Sequence, residues 1–309
     1  MSSSPSRAEA SADAVPAAGD AARSRRADFL ALTKPRLNFL VLLTTAAAYR
    51  LGVDTASSGM PLLHTLVGTA LVAGGAAALN QVWERETDKL MRRTRTRPLP
   101  DARLEPSQAR AFGWALGAIG LIQLAVFVNL LAAGTALLTL ASYLWFYTPL
   151  KFRTSLSTIV GALPGALPAV IGWSAATNTL SMEGWILFGI VFMWQMPHFL
   201  AIAWMYRDDY ARAGMPLLPV IQPDGRSTGR QAVLYTTGLI PLTLMPTLIG
   251  MSSATYLAGA VVLGAILLVF SLEFAVTRTT DAARRLFLAS ILYLPLLWAL
   301  LVWDHVKIS

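Results

Sequence analysis

An apolar segment of the chain, residues 62–83, runs into the stretch Asn80-Gln-Val-Trp-Glu84-Arg-Glu-Thr-Asp88-Lys-Leu-Met-Arg-Arg-Thr-Arg-Thr-Arg97-Pro-Leu-Pro. Residues four apart lie on nearly the same side of an α-helix, about 6 Å from one another along its axis. Asn80, Glu84 and Asp88, which we call the ladder, are therefore predicted to line one face at the end of a membrane helix. Carboxylates at this spacing suit Mg²⁺, which binds one or two of them together with the phosphates of a substrate. The arginines that follow suit those phosphates.

The composition of the chain is that of a membrane protein. Of its 309 residues, 55% are apolar and only 14% are charged. The apolar residues form nine blocks of about 20, the length that crosses a bilayer as a helix, at 29–49, 62–83, 109–128, 130–148, 157–176, 184–204, 231–250, 254–274 and 285–303. The third and fourth blocks, and the seventh and eighth, are separated by very short turns and are predicted to be helical hairpins. An all-α polytopic bundle follows, because a membrane barrel would show alternating strands of about ten residues.

The basic residues predict the orientation of this bundle. With nine helices, every Lys and Arg except Arg50 and Lys307 falls on the same side of the membrane as the N-terminus. Because Lys and Arg are in excess in cytoplasmic loops, we expect the N-terminus in the cytoplasm and the C-terminus outside. This asymmetry accounts for much of the net charge of +8. We expect no nucleic-acid partner, since no compact basic domain lies outside the membrane.

The N-terminal segment differs in composition from the rest of the chain. Residues 1–28 are rich in Ser, Ala and Pro with scattered charges, and they are predicted to form a disordered cytoplasmic tail. Residues 29–309 then form one membrane domain. The chain has no cysteine, which excludes disulfides and thiolate chemistry.

Further polar residues lie near the hydrocarbon at the predicted cytoplasmic end. Charged side chains at membrane depth are costly and mark functional sites. Besides the ladder, polar residues fall in the segments 33–38, 147–155, 194–199 and 206–210. Pro197 removes an intrahelical hydrogen bond next to His198, which is typical of a kink that faces a ligand.

Each of these groups also allows a plainer interpretation. The acidic residues after the second apolar block could form ion pairs on a solvated helix extension, joining Glu84, Glu86 and Asp88 to Arg85, Lys89 and Arg92. Asn80 argues against this, because a large amide embedded after three alanines must find a partner. His198 could be an interhelical hydrogen-bonding residue, and Asp208 and Asp209 could be surface charges.

Taken in order, these segments resemble the intramembrane prenyltransferases of the UbiA superfamily, which share a nine-helix bundle. The ladder matches their first signature, Asn-x-x-x-Asp-x-x-x-Asp, with Glu84 in place of the first Asp. Within the superfamily the chain resembles the protohaem IX farnesyltransferase branch in Leu32-Thr-Lys-Pro-Arg36, Met91-Arg-Arg-Thr-Arg-Thr-Arg-Pro-Leu-Pro100, residues 147–172, Trp194-Gln-Met-Pro-His-Phe199 and Asp209-Tyr-Ala-Arg-Ala-Gly214-Met-Pro-Leu-Leu-Pro219. The second superfamily motif is normally a run of aspartates on the sixth helix. Here His198 stands at its start, and Asp208 and Asp209 follow about three turns later.

The resemblance implies a reaction, a metal and a set of site residues. Farnesyl diphosphate and haem b would give haem O and pyrophosphate through Mg²⁺-assisted ionisation, attack of a haem vinyl group on the allylic cation, and capture of water, in haem A and O synthesis for terminal oxidases. The implied metal ligands are Asn80, Glu84, Asp88 and Asp209, and the catalytic residues add His198 and Asp208. Diphosphate or haem propionates would be bound by Lys34, Arg36, Arg92, Arg93, Tyr147, Lys151 and Arg153. The implied location is a bacterial inner membrane with a cytoplasmic active site, and the implied partners are membrane lipid and haem A synthase.

Two alternative functions stay open at this point. One is a UbiA-type prenyltransferase that acts on a quinone precursor or a lipid, and the His198 motif argues against it. The other is a transporter or a non-catalytic haem-binding scaffold. Polar residues confined to one end of the bundle argue against transport.

Overall fold

The computed structural model describes residues 18–53 and 59–305, and this part of the chain is a helical bundle. Its helices are α1 (Ala18–Leu32), α2 (Pro35–Gly52), α3 (Gly59–Leu90), α4 (Pro106–Phe127), α5 (Leu130–Ala141), α6 (Thr148–Leu150), α7 (Ser157–Thr177), α8 (Met182–Met205), α9 (Arg207–Arg212), α10 (Leu218–Ile221), α11 (Arg226–Leu248), α12 (Ala254–Thr277) and α13 (Thr280–Trp303). A π-helical turn, Ser142–Tyr147, joins α5 to α6. The β pairing found in these ranges is one isolated bridge between Ser252 and His305. The all-α prediction is confirmed.

Several helices have the length and apolarity that a membrane crossing requires. Within the described ranges there are seven such segments: α3, α4, the continuous segment Leu130–Leu150, α7, α8, α12 and α13. Both predicted hairpins are present, since α4 packs on α5 and α11 packs on α12. Large apolar side chains such as Val126, Leu234 and Trp303 are exposed on the surface of the bundle. An apolar surface of this extent fits contact with lipid.

The predicted first block, residues 29–49, is not one helix. Helix α1 ends at Leu32 and α2 begins at Pro35, while Lys34 between them has a left-handed backbone with φ 48° and ψ 60°. The cause is Pro35, which cannot donate a backbone hydrogen bond and keeps the preceding residue out of the helical conformation. The prediction of an unbroken helix here is wrong, and the break presents the Lys34 side chain to the interior.

Part of the predicted tail is helical. Residues 1–17 lie outside the described residues, whereas residues from Ala18 onward belong to α1. Asp28 near the end of α1 is buried and forms an ion pair with Arg103. The composition of the segment does not reveal this tertiary contact, so α1 replaces the last part of the predicted tail.

Small residues allow the helices to pack closely. Helix α3 packs most extensively on α4, and a Cβ added at Gly75 would lie 2.6 Å from the carbonyl oxygen of Gly113. Helix α8 is at the centre of a second group of packed helices, in which it contacts α7, α11 and α13. The run of small residues at 72–79 therefore brings two backbones together, as small residues do in membrane bundles.

Asp304, just past α13, anchors that helix to the start of α12. Its carboxylate accepts hydrogen bonds from the Ser253 backbone N–H (2.8 Å), the Ser253 hydroxyl (2.7 Å) and the Tyr256 N–H (3.0 Å). The hydrogen bond from the Ser253 hydroxyl is the main reason that the pKa of Asp304 lies below its ordinary value.

Candidate active site

The ladder lies on the inner face of α3. This helix continues without a break to Leu90, so Asn80, Glu84 and Asp88 follow one another along one side, with exposed fractions of 0%, 3% and 0%. Glu86 is exposed and pairs with Arg85 (3.1 Å) and Lys89 (2.8 Å). The surface-pair interpretation therefore holds for Glu86 and is wrong for the two ladder carboxylates.

Asn80 and Glu84 of the ladder are contacted by two lysines and a threonine. Lys34 Nζ donates to Asn80 Oδ1 (3.3 Å), and Asn80 Nδ2 is within hydrogen-bond distance of Glu84 Oε1 (2.9 Å) and Thr148 Oγ1 (3.2 Å). Lys151 Nζ pairs with the same Glu84 oxygen at 2.8 Å. The amide has the partners that its burial requires, and they come from three different parts of the chain.

Asp88 is neutralised by an arginine from the loop that follows α3. Arg97 Nη1 lies 2.8 Å from Asp88 Oδ2, and the Thr94 hydroxyl donates to the Asp88 backbone carbonyl at 2.8 Å. The other carboxylate oxygen, Oδ1, is buried and has no hydrogen-bond partner among the described residues. Asp88 thus presents one unused acceptor inside the site.

The π-helical turn positions the residues that approach the ladder from the α5–α6 segment. The Thr148 hydroxyl donates to the Tyr143 carbonyl (2.8 Å), and the Lys151 ammonium lies 4.8 Å from the centre of the Tyr147 ring. π turns within α-helices occur often at functional sites, because the extra residue in the turn redirects the side chains that follow.

The two lysines at the ladder differ in how firmly they are charged. Burial, aided by the nearby Arg97 guanidinium, lowers the pKa of Lys34 to about 8. Burial is the largest influence on Lys151 and opposes its charge, but the Glu84 carboxylate and the neighbouring Tyr147 and Tyr143 side chains together outweigh it and hold the pKa of Lys151 well above its ordinary value. Two carboxylates face three cationic side chains here, so an added anion would relieve the excess positive charge.

The ladder fits a metal that is shared with a substrate. Within residues 18–53 and 59–305, no three His, Asp or Glu side chains are grouped as a metal site of the protein's own. The ladder offers carboxylate and amide oxygens, including the unpaired Asp88 Oδ1. Mg²⁺ is bound in just this way, by one or two carboxylates together with substrate phosphates.

The second acidic cluster does not join the ladder. Asp208 is exposed, and Asp209 forms an ion pair with Arg212 on its own short helix, α9. The predicted metal set of four is therefore not assembled in this structure, because the nearby arginine already neutralises Asp209. The loop after α3 reaches α9 through Arg93, which donates to the Tyr210 hydroxyl at 3.0 Å.

His198 lies between α8 and α13. Its Nδ1 is 2.8 Å from the Ser290 hydroxyl, and its ring stacks on Trp194 with centroids 5.1 Å apart. The interpretation of His198 as an interhelical hydrogen-bonding residue is confirmed. Helix α8 runs through Pro197 without ending.

The remaining predicted basic residues are at the rim. Arg36, Arg92 and Arg153 are exposed, and the described ranges contain no ion pair that involves them. Arg97 and Thr148, by contrast, contact the ladder, although the sequence pattern does not distinguish them from their neighbours. The sequence does show that the loop after α3 is rich in arginine and that residues 147–155 are polar, but it does not indicate which of these side chains points toward the ladder.

Buried carboxylates and cations at one end of an all-helical membrane bundle are suited to binding a charged ligand. The chain belongs to the UbiA prenyltransferase family, whose model matches residues 41–301. It is thus a prenyltransferase with several membrane-crossing helices.

Two similar relatives within this family are protoheme IX farnesyltransferases. The protoheme IX farnesyltransferase of Solibacter usitatus is 50% identical over 287 residues, which cover 90% of this chain and 98% of the relative. The protoheme IX farnesyltransferase of Salinibacter ruber is 45% identical over 277 residues, with 90% and 98% covered.

Solved structures support the fold. A digeranylgeranylglyceryl phosphate synthase superposes with a TM-score of 0.76 at 14% identity, covering 91% of this chain and 98% of the other. A UbiA homologue from Archaeoglobus fulgidus bound to GPP and Mg²⁺ superposes with a TM-score of 0.64 at 16% identity, covering 89% and 99%. At these identities the likeness concerns the fold.

Proposed function

We propose that the chain transfers the farnesyl group of farnesyl diphosphate to a vinyl group of haem b, with haem O and pyrophosphate as products. The observation that carries this proposal is the buried ladder with its three cations, which suits a diphosphate leaving group. The acceptor is supported by the two relatives named protoheme IX farnesyltransferase, at 50% and 45% identity over nine-tenths of the chain.

In this proposal Asn80, Glu84 and Asp88 hold Mg²⁺ together with the diphosphate. The ion, when bound, neutralises charge on the leaving group and so favours cleavage of the allylic C–O bond. Lys34 and Lys151 lie at the ladder and bind the diphosphate oxygens. A bound diphosphate would stabilise the charged form of Lys34, which burial disfavours.

The other predicted residues have supporting roles in the proposal. Tyr147, whose ring lies 4.8 Å from the Lys151 ammonium, binds the diphosphate or a haem propionate beside that lysine. The rim residues bind diphosphate or haem propionates, namely Arg36, Arg92, Arg93 and Arg153. Asp208 and Asp209 act from α9, where substrate binding would have to release Asp209 from Arg212.

We further propose nine membrane crossings, with α2 and α11 added to the seven apolar segments. They are as long as a crossing requires, and their polar residues would face the interior of the bundle. Residues 29–309 would then be one domain, with an N-terminal tail and the ladder in the cytoplasm and the C-terminus outside. The excess of Lys and Arg at the ladder end supports this orientation. Location in a bacterial inner membrane, haem O supply to terminal oxidases and product transfer to haem A synthase belong to the same proposal.

Product analysis tests the reaction. Purified protein in detergent is incubated with haem b, farnesyl diphosphate and Mg²⁺, and the pigments are separated by chromatography. We expect haem O, identified by its mass and by a spectrum that reflects loss of one vinyl group. Prenylation of a quinone precursor or a lipid, with no haem product, would overturn the acceptor and favour the alternative within the family.

A pair of variants on α3 tests the ladder. Asp88→Asn keeps the shape of the side chain but removes its charge, and we expect haem O formation to fall at least a hundredfold. Glu86→Gln is the control, because Glu86 lies on the same helix but is exposed. Turnover of Asp88→Asn close to that of the control would refute a metal role for Asp88.

A further inference from the structure

The ring of His198 is fixed by contacts with two aromatic rings and at one nitrogen. It stacks on Trp194 with an interplanar angle of 25° and packs against Phe287, whose centroid is 5.0 Å away. Its Nδ1 is 2.8 Å from Ser290 Oγ, and the Trp194 indole N–H donates to the Ser290 carbonyl at 2.8 Å. Trp194 of α8 and two residues of α13, Phe287 and Ser290, thus fix the orientation of the imidazole.

The hydrogen bonds of Ser290 determine which imidazole nitrogen carries the proton. Ser290 Oγ lies 2.7 Å from the Phe287 carbonyl oxygen, which can only accept, so the hydroxyl donates its hydrogen there. Toward His198 the same hydroxyl is therefore the acceptor, and Nδ1 must be protonated. In a neutral imidazole the lone pair is then on Nε2. Among the described residues, none forms a hydrogen bond with Nε2.

His198 is also linked to the helices that form the candidate site. One turn earlier on α8, Gln195 Nε2 donates to the Ala162 carbonyl on α7 at 3.2 Å. Helix α7 in turn packs against the π-helical turn that precedes Thr148, the ladder's partner. The imidazole is about 10 Å inside the end of α8 at Met205.

We propose that Ser290 is a positioning residue that holds His198 in the Nδ1–H form, and that Nε2 takes a proton in the last step of the reaction. This inference rests on the proposed function. The C–O bond of farnesyl diphosphate breaks with its electron pair on the leaving group, and the vinyl π electrons form the new C–C bond. The cation left at the inner vinyl carbon is captured by water, and the proton that this water loses goes to Nε2. The Nδ1–H bond to Ser290 then stabilises the imidazolium.

Nitrogen-15 NMR tests the tautomer without any activity measurement. The chain has three histidines, so ring-labelled histidine gives few signals, and the His198→Gln variant identifies the one that disappears. In the wild-type protein at neutral pH we expect a protonated Nδ1 and an unprotonated Nε2. In Ser290→Ala we expect the proton to move at least partly to Nε2. A protonated Nε2 in the wild-type protein would overturn the proposal.

Steady-state kinetics test the role in turnover. We expect Ser290→Ala to lower kcat about tenfold or more, with the KM for farnesyl diphosphate nearly unchanged, and Ser290→Thr to restore most of kcat. The matched control is Ser271→Ala, because Ser271 is also buried and bonds the Leu267 carbonyl (2.9 Å) and Thr236 (2.8 Å).

These experiments distinguish a failure of the Ser290 positioning role from a failure of the proposed reaction. An unchanged kcat in Ser290→Ala, or an equal loss in Ser271→Ala, would refute the positioning role. Wild-type protein that makes no haem product would refute the proposed function and the base role together. If Ser290→Ala does not fold, the wild-type NMR spectrum still decides the tautomer.

Discussion

Replacing Arg97 by glutamine removes the cation that neutralises Asp88, and the structure sets the size of the expected effect. Asp88 is fully buried, and its Oδ1 already has no hydrogen-bond partner among the described residues. Removal of one partner from a buried ion pair costs about 3–5 kcal/mol. Arg97 is 29% exposed, so water can reach part of the vacated space. A glutamine amide can also restore one hydrogen bond, which contributes about 1 kcal/mol. We therefore expect Arg97→Gln to lose about 2–3 kcal/mol of stability.

A double-mutant cycle separates this effect from catalysis. The free energy of unfolding in detergent micelles is measured for Arg97→Gln, Asp88→Asn and the double variant. Asp88→Asn removes the buried charge, so the double variant should regain about 2 kcal/mol over Arg97→Gln and remain inactive. Arg92→Gln is the control, because Arg92 is an exposed residue of the same loop. If Arg97→Gln is as stable as this control, or if the cycle shows no coupling, the Asp88–Arg97 pair does not hold the loop.

Three further predictions concern other parts of the molecule. Lys151→Met should raise the KM for farnesyl diphosphate at least tenfold, about 1.4 kcal/mol, because it removes an ammonium from the ladder. Arg153→Met is the control, since Arg153 is at the exposed rim, and it should change this KM little. Equal effects of the two variants would contradict the proposal that Lys151 binds the diphosphate. A Cβ at Gly165 would overlap the Gln195 side-chain oxygen, so Gly165→Ala should cost about 1–3 kcal/mol in thermal unfolding, whereas Gly134→Ala, with open space around it, should not. Asp304→Asn should lower the melting temperature near neutral pH. The folded pKa of Asp304 lies below the unfolded value of about 3.9, so its contribution is present above that value and is lost as the pH falls through the folded pKa. The difference between variant and wild type should therefore shrink below about pH 4, and a constant difference would refute this account.

Periodicity and charge were sufficient to predict the ladder and most of the long helices, but not the break at Lys34. A regular helix carries residues at i, i+4 and i+8 along one face whatever its surroundings, so Asn80, Glu84 and Asp88 align as predicted. The same reasoning could not distinguish Glu84 from Glu86, which differ in exposure although both are acidic and two positions apart. Asn80 supplied the distinction, because an embedded amide identifies the buried side of the helix.

The partners of the ladder could not be predicted in the same way, because they come from places where the backbone leaves the α-helix. Lys34 is in the left-handed break before Pro35, Thr148 follows a π-helical turn, and Arg97 is in a loop that folds back on Asp88. A membrane bundle tolerates irregular backbone only where protein or a polar cavity satisfies its hydrogen-bonding groups. The breaks and the charged side chains therefore need the same surroundings, which explains why both occur at one end of the bundle. Lys34 follows a break imposed by a proline, so restoring a continuous helix there should withdraw its ammonium from Asn80 and leave the amide with two partners in place of three.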